Sequence, residues 1–123
     1  GTQLYQVDSE FMLDGEPASI PLAIGLATHD EKAGVFHNKR TGRISTWEVI
    51  DDLGLGTGAL IDPRRVEDIR HVASDAKDES HIWIITSTDD DGKLTYQAGF
   101  AWEAAGEITN NQEWQTYLDS RSR

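Results

Sequence analysis

Two strand-like segments joined by an acidic turn constrain the fold of this chain more than any other feature. The segments are His81–Ser87 and Leu94–Glu103, and both are rich in β-branched and aromatic residues. The Asp-Gly dipeptide in the turn supplies the positive φ that a tight hairpin requires. The pattern predicts one long antiparallel hairpin at the centre of a sheet. Alternation places Tyr96, Phe100 and Trp102 together on the core face of its second arm.

Other segments repeat the same short alternation of apolar and polar residues. Turns rich in Gly, Asp and Pro separate them, and no helical segment lies between one strand and the next. In Ile20–Thr28 the large side chains share one face and the small ones share the other, which predicts an inner strand. The remaining predicted strands are Thr2–Leu13, Gly34–Asn38, Arg43–Ile50, Ala59–Asp62 and Val66–Ala73.

Helical spacing occurs near the C-terminal end of the chain. Trp114, Tyr117 and Leu118 lie at i, i+3 and i+4 in the segment Gln112–Ser120, which an Asn-Asn pair can cap. The predicted fold class is therefore all-β: an antiparallel β-sandwich of jelly-roll or supersandwich type with one short C-terminal helix. A partly open barrel is the alternative.

Length and charge limit the domain organisation and the partners. The 123 residues predict one domain, assigned to residues 1–120 with a frayed tail at 121–123. A net charge of -11 repels phosphate backbones and anionic lipid, so we expect neither nucleic acid nor a membrane surface as a partner. The chain has no cysteine, which excludes disulfides and thiolate chemistry.

The histidines and the glycine-rich segment are the candidates for a metal or phosphate site. The spacing of His29, His37, His71 and His81 matches neither His-x-His nor His-x-x-x-His, so we predict no metal site and no cofactor. Histidines on different strands can still converge in space. The three alternating glycines of Gly54–Gly58 lack the following helix of a phosphate loop, and they indicate either a bulged or a closely approached backbone segment that leads into the strand Ala59–Asp62.

Four tryptophans are many for a chain of this length. Sugar-binding proteins place such rings against the apolar face of a pyranose, with carboxylates and amides nearby for its hydroxyls. Trp114 is predicted to be core because it lies on the helical stripe. Trp47 follows a basic hairpin tip and is predicted to be the most exposed of the four.

Several short motifs follow one another in a characteristic order along the chain. They are Pro21–Leu26, Trp47-Glu48, Gly54–Gly58, Asp62-Pro63, Tyr96–Glu103, Gly106-Glu107 and Glu113-Trp114. Their order resembles the C-terminal part of a bacterial family known as domain of unknown function 4861. This resemblance implies a protein of polysaccharide breakdown, with a β-sandwich like those of mutarotases and sugar lyases, and a periplasmic or extracellular location. No catalytic residues are implied by it.

We therefore expect a carbohydrate-handling domain that binds, or helps to process, a plant or algal polysaccharide. One alternative is a catalytic lyase or hydrolase domain, in which His37 or His81 works with a carboxylate. Another is a structural half-sandwich that completes another chain. Because the apolar face of the first strand has few partners, we also expect pairing with a second copy or with a missing N-terminal segment. The candidate ligand-binding residues are Trp47, Trp83, Tyr96, Gln97 and Glu103.

Overall fold

Antiparallel strands form most of the structure, a computed structural model that describes residues 4–27, 34–50, 52–72 and 81–121. One α-helix, α1, spans Asn111–Arg121, and 3-10 turns cover Pro63–Arg65 and Glu103–Ala105. The strands are β1 Leu4–Glu10, β2 Met12–Leu13, β3 Glu16–Pro17, β4 Pro21–Ala27, β5 Gly34–Asn38, β6 Arg43–Ile50, β7 Leu53–Leu60, β8 Asp68–Val72, β9 His81–Ser87 and β10 Lys93–Trp102.

Two sheets pack face to face, as the predicted sandwich requires. The five-stranded sheet has the order β1-β10-β7-β6-β5, and the three-stranded sheet has the order β4-β9-β8. Strand β4 lies over β6 and β7, and β9 lies over β6. Strands β2 and β3 form a separate two-stranded sheet. The predicted fold class, an all-β sandwich with one short C-terminal helix, is confirmed.

The predicted central hairpin is wrong. Strands β9 and β10 lie in different sheets, and the acidic turn carries the chain from one sheet to the other. Within that turn, the Asp89 carboxylate accepts hydrogen bonds from the backbone N–H groups of Asp91 and Lys93, each at 2.9 Å. Gly92 has a φ of 74°. The error arises because alternation reports which face of a strand is buried, and not which strand lies beside it.

The first hydrophobic core fills the space between the two sheets. Ile44 and Ala59 enter it from the five-stranded sheet, and Ile82 and Ile84 enter it from the three-stranded sheet. The large side chains of β4 pack against this core, as predicted. The prediction that this segment is an inner strand is wrong, because within the described residues β4 pairs with β9 alone.

A second core lies between the five-stranded sheet and α1. Trp114 and Leu118 are fully buried there. The glycine-rich segment is a full strand, β7, whose glycines face the helix: a Cβ on Gly56 would lie 2.7 Å from the Trp114 ring. The Asn110 side chain accepts a hydrogen bond from the Glu113 N–H at 2.8 Å and so caps α1. The predicted helix and the buried Trp114 are confirmed.

Two predictions about aromatic side chains are wrong. Phe100 is 60% exposed and Trp102 is 52% exposed, although alternation placed both in the core. They do lie on the inner face of the five-stranded sheet, but the three-stranded sheet, as far as its strands are described, does not extend over that end. Trp47 is not the most exposed tryptophan, because it packs against the second core beneath the helix. The Trp47 ring occupies the space that a Cβ atom on Gly54 would need.

Candidate functional site

The outer face of the three-stranded sheet carries the candidate site. On β9, Ile82, Ile84 and Thr86 are fully buried and point into the sandwich. Because side chains alternate along a strand, His81 and Trp83 project from the opposite face, away from the five-stranded sheet. Both side chains are partly exposed there.

His81 and Trp83 form a stacked pair on this face. Their ring centroids are 5.0 Å apart, and the ring planes differ by 21°. The indole also covers the neighbouring strand, since a Cβ built on Gly25 would lie 2.3 Å from two of its carbon atoms. Gly25 and Trp83 are register partners in the β4–β9 pairing. A glycine at this position therefore lets the indole lie over β4.

Strand β8 adds a charged pair beside the rings. Arg70 is the register partner of Trp83 on the side opposite Gly25. Its Nε donates a hydrogen bond to the Asp68 carboxylate at 3.2 Å. Both side chains are largely exposed.

The same contacts favour the charged form of the Asp68 carboxyl. The hydrogen bond from Arg70, and a second one from the Ile69 backbone N–H at 2.9 Å, hold the pKa of the Asp68 carboxyl below its ordinary value. The face therefore combines an aromatic ring surface, a carboxylate acceptor and guanidinium donors.

Among the described residues, the arrangement offers binding groups rather than an acid–base pair. Asp68 is the register partner of Ile85, and His81 is the register partner of Val72. Asp68 and His81 therefore lie four positions apart along the strands. This separation corresponds to about 13 Å along the strands, too far for proton transfer between them. No group of three described histidines and acids could hold a metal ion.

The other residues proposed from the sequence lie elsewhere. His37 is exposed on β5, the far edge of the five-stranded sheet, so it does not share a face with His81. Trp47 and Glu103 lie on the helix side of that sheet, where the Glu103 carboxylate accepts a hydrogen bond from the Gly54 N–H at 3.2 Å. Of the seven proposed residues, the structure thus places two at the candidate site, His81 and Trp83.

Tyr96 and Gln97 border a separate pocket of about 260 Å³ near the start of β10. Arg65 and Arg121 also line this pocket. Tyr96 in addition packs against the core between the sheets. Neither residue reaches the outer face of the three-stranded sheet, so both stand outside the candidate site.

Asp68 and Arg70 were missed as site residues. They fall in the predicted strand Val66–Ala73, and alternation places both on the face opposite Ile69. The sequence does not indicate that β8 pairs with β9. Sequence patterns therefore could not predict that Asp68 and Arg70 lie beside Trp83. The strand register alone places Arg70 opposite Trp83.

Comparison with known proteins identifies the family. The profile of a family described as a domain of unknown function (DUF4861) matches residues 1–123. A protein of Formosa agariphila, described as uncharacterized protein P7, is 31% identical over 103 residues, which is 82% of this chain. The matched region is 26% of that relative, so the chain spans about a quarter of its length. No solved structure matches the chain significantly.

None of the described helices is long and apolar enough to cross a membrane. The family match extends over the whole sequence, and the curated relative covers most of it. This chain belongs to the DUF4861 family, a domain of unknown function.

Proposed function

We propose that this domain binds carbohydrate on the outer face of its three-stranded sheet. The observation that carries the proposal is the stacked His81–Trp83 pair, partly exposed and flanked by the Arg70–Asp68 ion pair. The apolar C–H face of a sugar ring packs against an indole, which buries apolar surface against a ring of fixed quadrupole. The ring hydroxyls then reach hydrogen-bonding groups beside it.

Each polar group has a separate role in this proposal. Asp68 is ionised and accepts hydrogen bonds from sugar hydroxyls, while the guanidinium of Arg70 donates to hydroxyl or carboxylate oxygens. Ala23, the exposed neighbour of Gly25 on the same face of β4, leaves room beside the indole. The ligand class is a plant or algal polysaccharide, engaged along an open surface rather than in an enclosed cavity.

Binding is favoured over catalysis because His81 has no described carboxylate within reach. A lyase or hydrolase needs an acid and a base placed on the same sugar linkage. The described residues of this face present one histidine stacked on a ring and the Asp68 carboxylate about 13 Å away along the strands. The Glu67 carboxylate, which accepts a hydrogen bond from the Ser87 hydroxyl at 3.1 Å, lies farther from the histidine still.

The test is calorimetric titration of the chain with a panel of neutral and uronic-acid polysaccharides from plants and algae. We expect binding without turnover, and Trp83→Ala to weaken it at least tenfold, equivalent to about 1.4 kcal/mol. The matched control is Trp102→Ala, which removes an exposed indole from another surface. The proposal fails if no polysaccharide binds, or if Trp102→Ala abolishes binding while Trp83→Ala keeps it. Turnover lost in His81→Ala would replace it with the enzymatic alternative.

A further inference from the structure

The two sheets of the sandwich do not match in width. Strands β4 and β9 cover β6 and β7 of the five-stranded sheet. Beyond β7 in that sheet come β10 and β1. In the described part of the chain, the three-stranded sheet ends at β4, before it reaches the Phe100 end of β10.

Aromatic side chains are exposed where the three-stranded sheet does not cover the five-stranded sheet. Tyr5 on β1 and Phe100 on β10 are each 60% exposed, and Trp102 is 52% exposed. Register places all three on the inner face, since Tyr5 pairs with Ala98, two positions from Phe100. We name this surface the open inner face: Tyr5, Phe100 and Trp102. Soluble proteins rarely leave clustered aromatic rings exposed unless another surface covers them.

A groove of about 450 Å³ runs between the open inner face and β4. Tyr5, Phe11 and Phe100 line one part of it. Leu22, Ile24 and Leu26 of β4 line another part and are only partly buried. Apolar side chains therefore line both sides of the groove, together with the hydroxyl groups of Ser9 and Thr57.

The edge of β4 offers backbone hydrogen-bonding groups to an additional segment. The Thr88 N–H donates to the Ile20 carbonyl at 2.9 Å, which directs residue 20 towards β9. Hydrogen-bonding direction alternates along an antiparallel strand, so the N–H groups of Ala23 and Gly25 point away from β9. Both residues are exposed. Sheet edges of this kind add strands from other segments.

We propose that the open inner face and the β4 edge dock an extended segment from the part of the longer family proteins that this chain does not span. The segment adds a strand to β4 and lays its apolar side chains over Tyr5, Phe100 and Trp102. About three quarters of the Formosa agariphila relative lies outside the matched region, so the family contains sequence to supply it. A second copy of this chain is disfavoured, because two molecules of net charge -11 repel each other.

The test combines this chain with the part of the Formosa agariphila protein outside the matched 103 residues, produced as a separate polypeptide. We expect a 1:1 complex by light scattering, and slower hydrogen exchange at the Ala23 and Gly25 amides in the complex. Phe100→Asp is expected to weaken the complex at least tenfold. Val49→Asp is the control, because Val49 is 66% exposed on the opposite face of the same sheet.

Three outcomes overturn the proposal. The first is the absence of a complex while the chain unfolds cooperatively. The second is a complex that Phe100→Asp does not weaken. The third is self-association of the isolated chain, across a dilution series, that protects the same two amides. Phe100 is exposed in the isolated chain, so Phe100→Asp is expected to remain folded, and its cooperative unfolding is checked first.

Discussion

The indole of Trp83 occupies the space that a side chain on Gly25 would need, with two ring carbons 2.3 Å from the position of a Cβ there. A similar relationship holds between Trp114 and Gly56, where the closest approach is 2.7 Å. The two tryptophans differ in their surroundings. Trp83 lies on an open sheet face, whereas the Trp114 side chain is fully buried between α1 and the five-stranded sheet and donates a hydrogen bond to the Thr57 carbonyl at 3.1 Å.

This difference predicts unequal effects of two glycine substitutions. Gly56→Ala is expected to destabilise the chain by about 1–3 kcal/mol, because the buried Trp114 has no free space to move into. Gly25→Ala is expected to cost less than about 1 kcal/mol, because Trp83 can swing towards solvent. Chemical denaturation measures both. Equal losses would show that Trp83 is held as firmly as Trp114.

Displacement of the indole by Gly25→Ala also has an optical consequence. We expect the tryptophan emission to shift to the red and the stacking on His81 to be lost, since the added methyl group pushes the ring off β4. Gly56→Ala is the comparison. An unchanged emission spectrum in Gly25→Ala would contradict the packing described for this pair.

Aromatic truncations distinguish the buried core from the open inner face. Trp114→Ala is expected to cost about 3–5 kcal/mol, the usual range for emptying an aromatic core position. Phe100→Ala is expected to cost less than about 1 kcal/mol in the isolated chain, since its side chain is 60% exposed. Thermal unfolding of the two variants checks the order. A larger loss in Phe100→Ala would mean that this face is covered in the isolated chain.

The turn between the two sheets depends on one of its three aspartates. Asp89→Ala is expected to destabilise the chain by about 1–3 kcal/mol, because its carboxylate accepts hydrogen bonds from two backbone N–H groups. Asp90 is exposed in the same turn, and Asp90→Ala serves as the control with an expected change near zero. Urea unfolding measures both variants. If the two behave alike, the Asp89 contacts do not hold the turn.

The start of α1 is expected to be sensitive to acid. The Glu113 carboxylate accepts hydrogen bonds from the Thr109 N–H at 2.8 Å and from its hydroxyl, and these hold the pKa of Glu113 below its ordinary value of 4.5. A lowered folded-state pKa contributes stability above 4.5, and that stability is lost as the pH falls through the folded-state value.

Glu113→Gln provides the measurement. The variant is expected to be less stable than the parent chain at neutral pH, and the difference is expected to shrink as the pH falls below 4.5. Melting temperatures across a pH series follow the difference. A difference in melting temperature that stays constant with pH would show that the charge of Glu113 does not contribute to the stability.

Local patterns in the sequence determined the fold class and much of the internal packing. Alternation identified the face of β4 that carries its large side chains, and the spacing of Trp114, Tyr117 and Leu118 identified the apolar stripe of α1. Alternating glycines indicated either a bulge or a closely approached backbone, and the close approach of Trp114 and Leu118 to Gly56 and Gly58 is what the structure contains. These features follow from side-chain periodicity, which is set by the backbone geometry of each element alone.

Only the tertiary structure decided which strands are neighbours. Strand pairing depends on contacts between segments far apart in the chain, and alternation is the same whether β9 pairs with β10 or with β4 and β8. That choice separated Trp83 from Tyr96 and placed it between Gly25 and Arg70. It also set the width of the three-stranded sheet, which leaves Phe100 and Trp102 exposed although their alternation is that of buried residues.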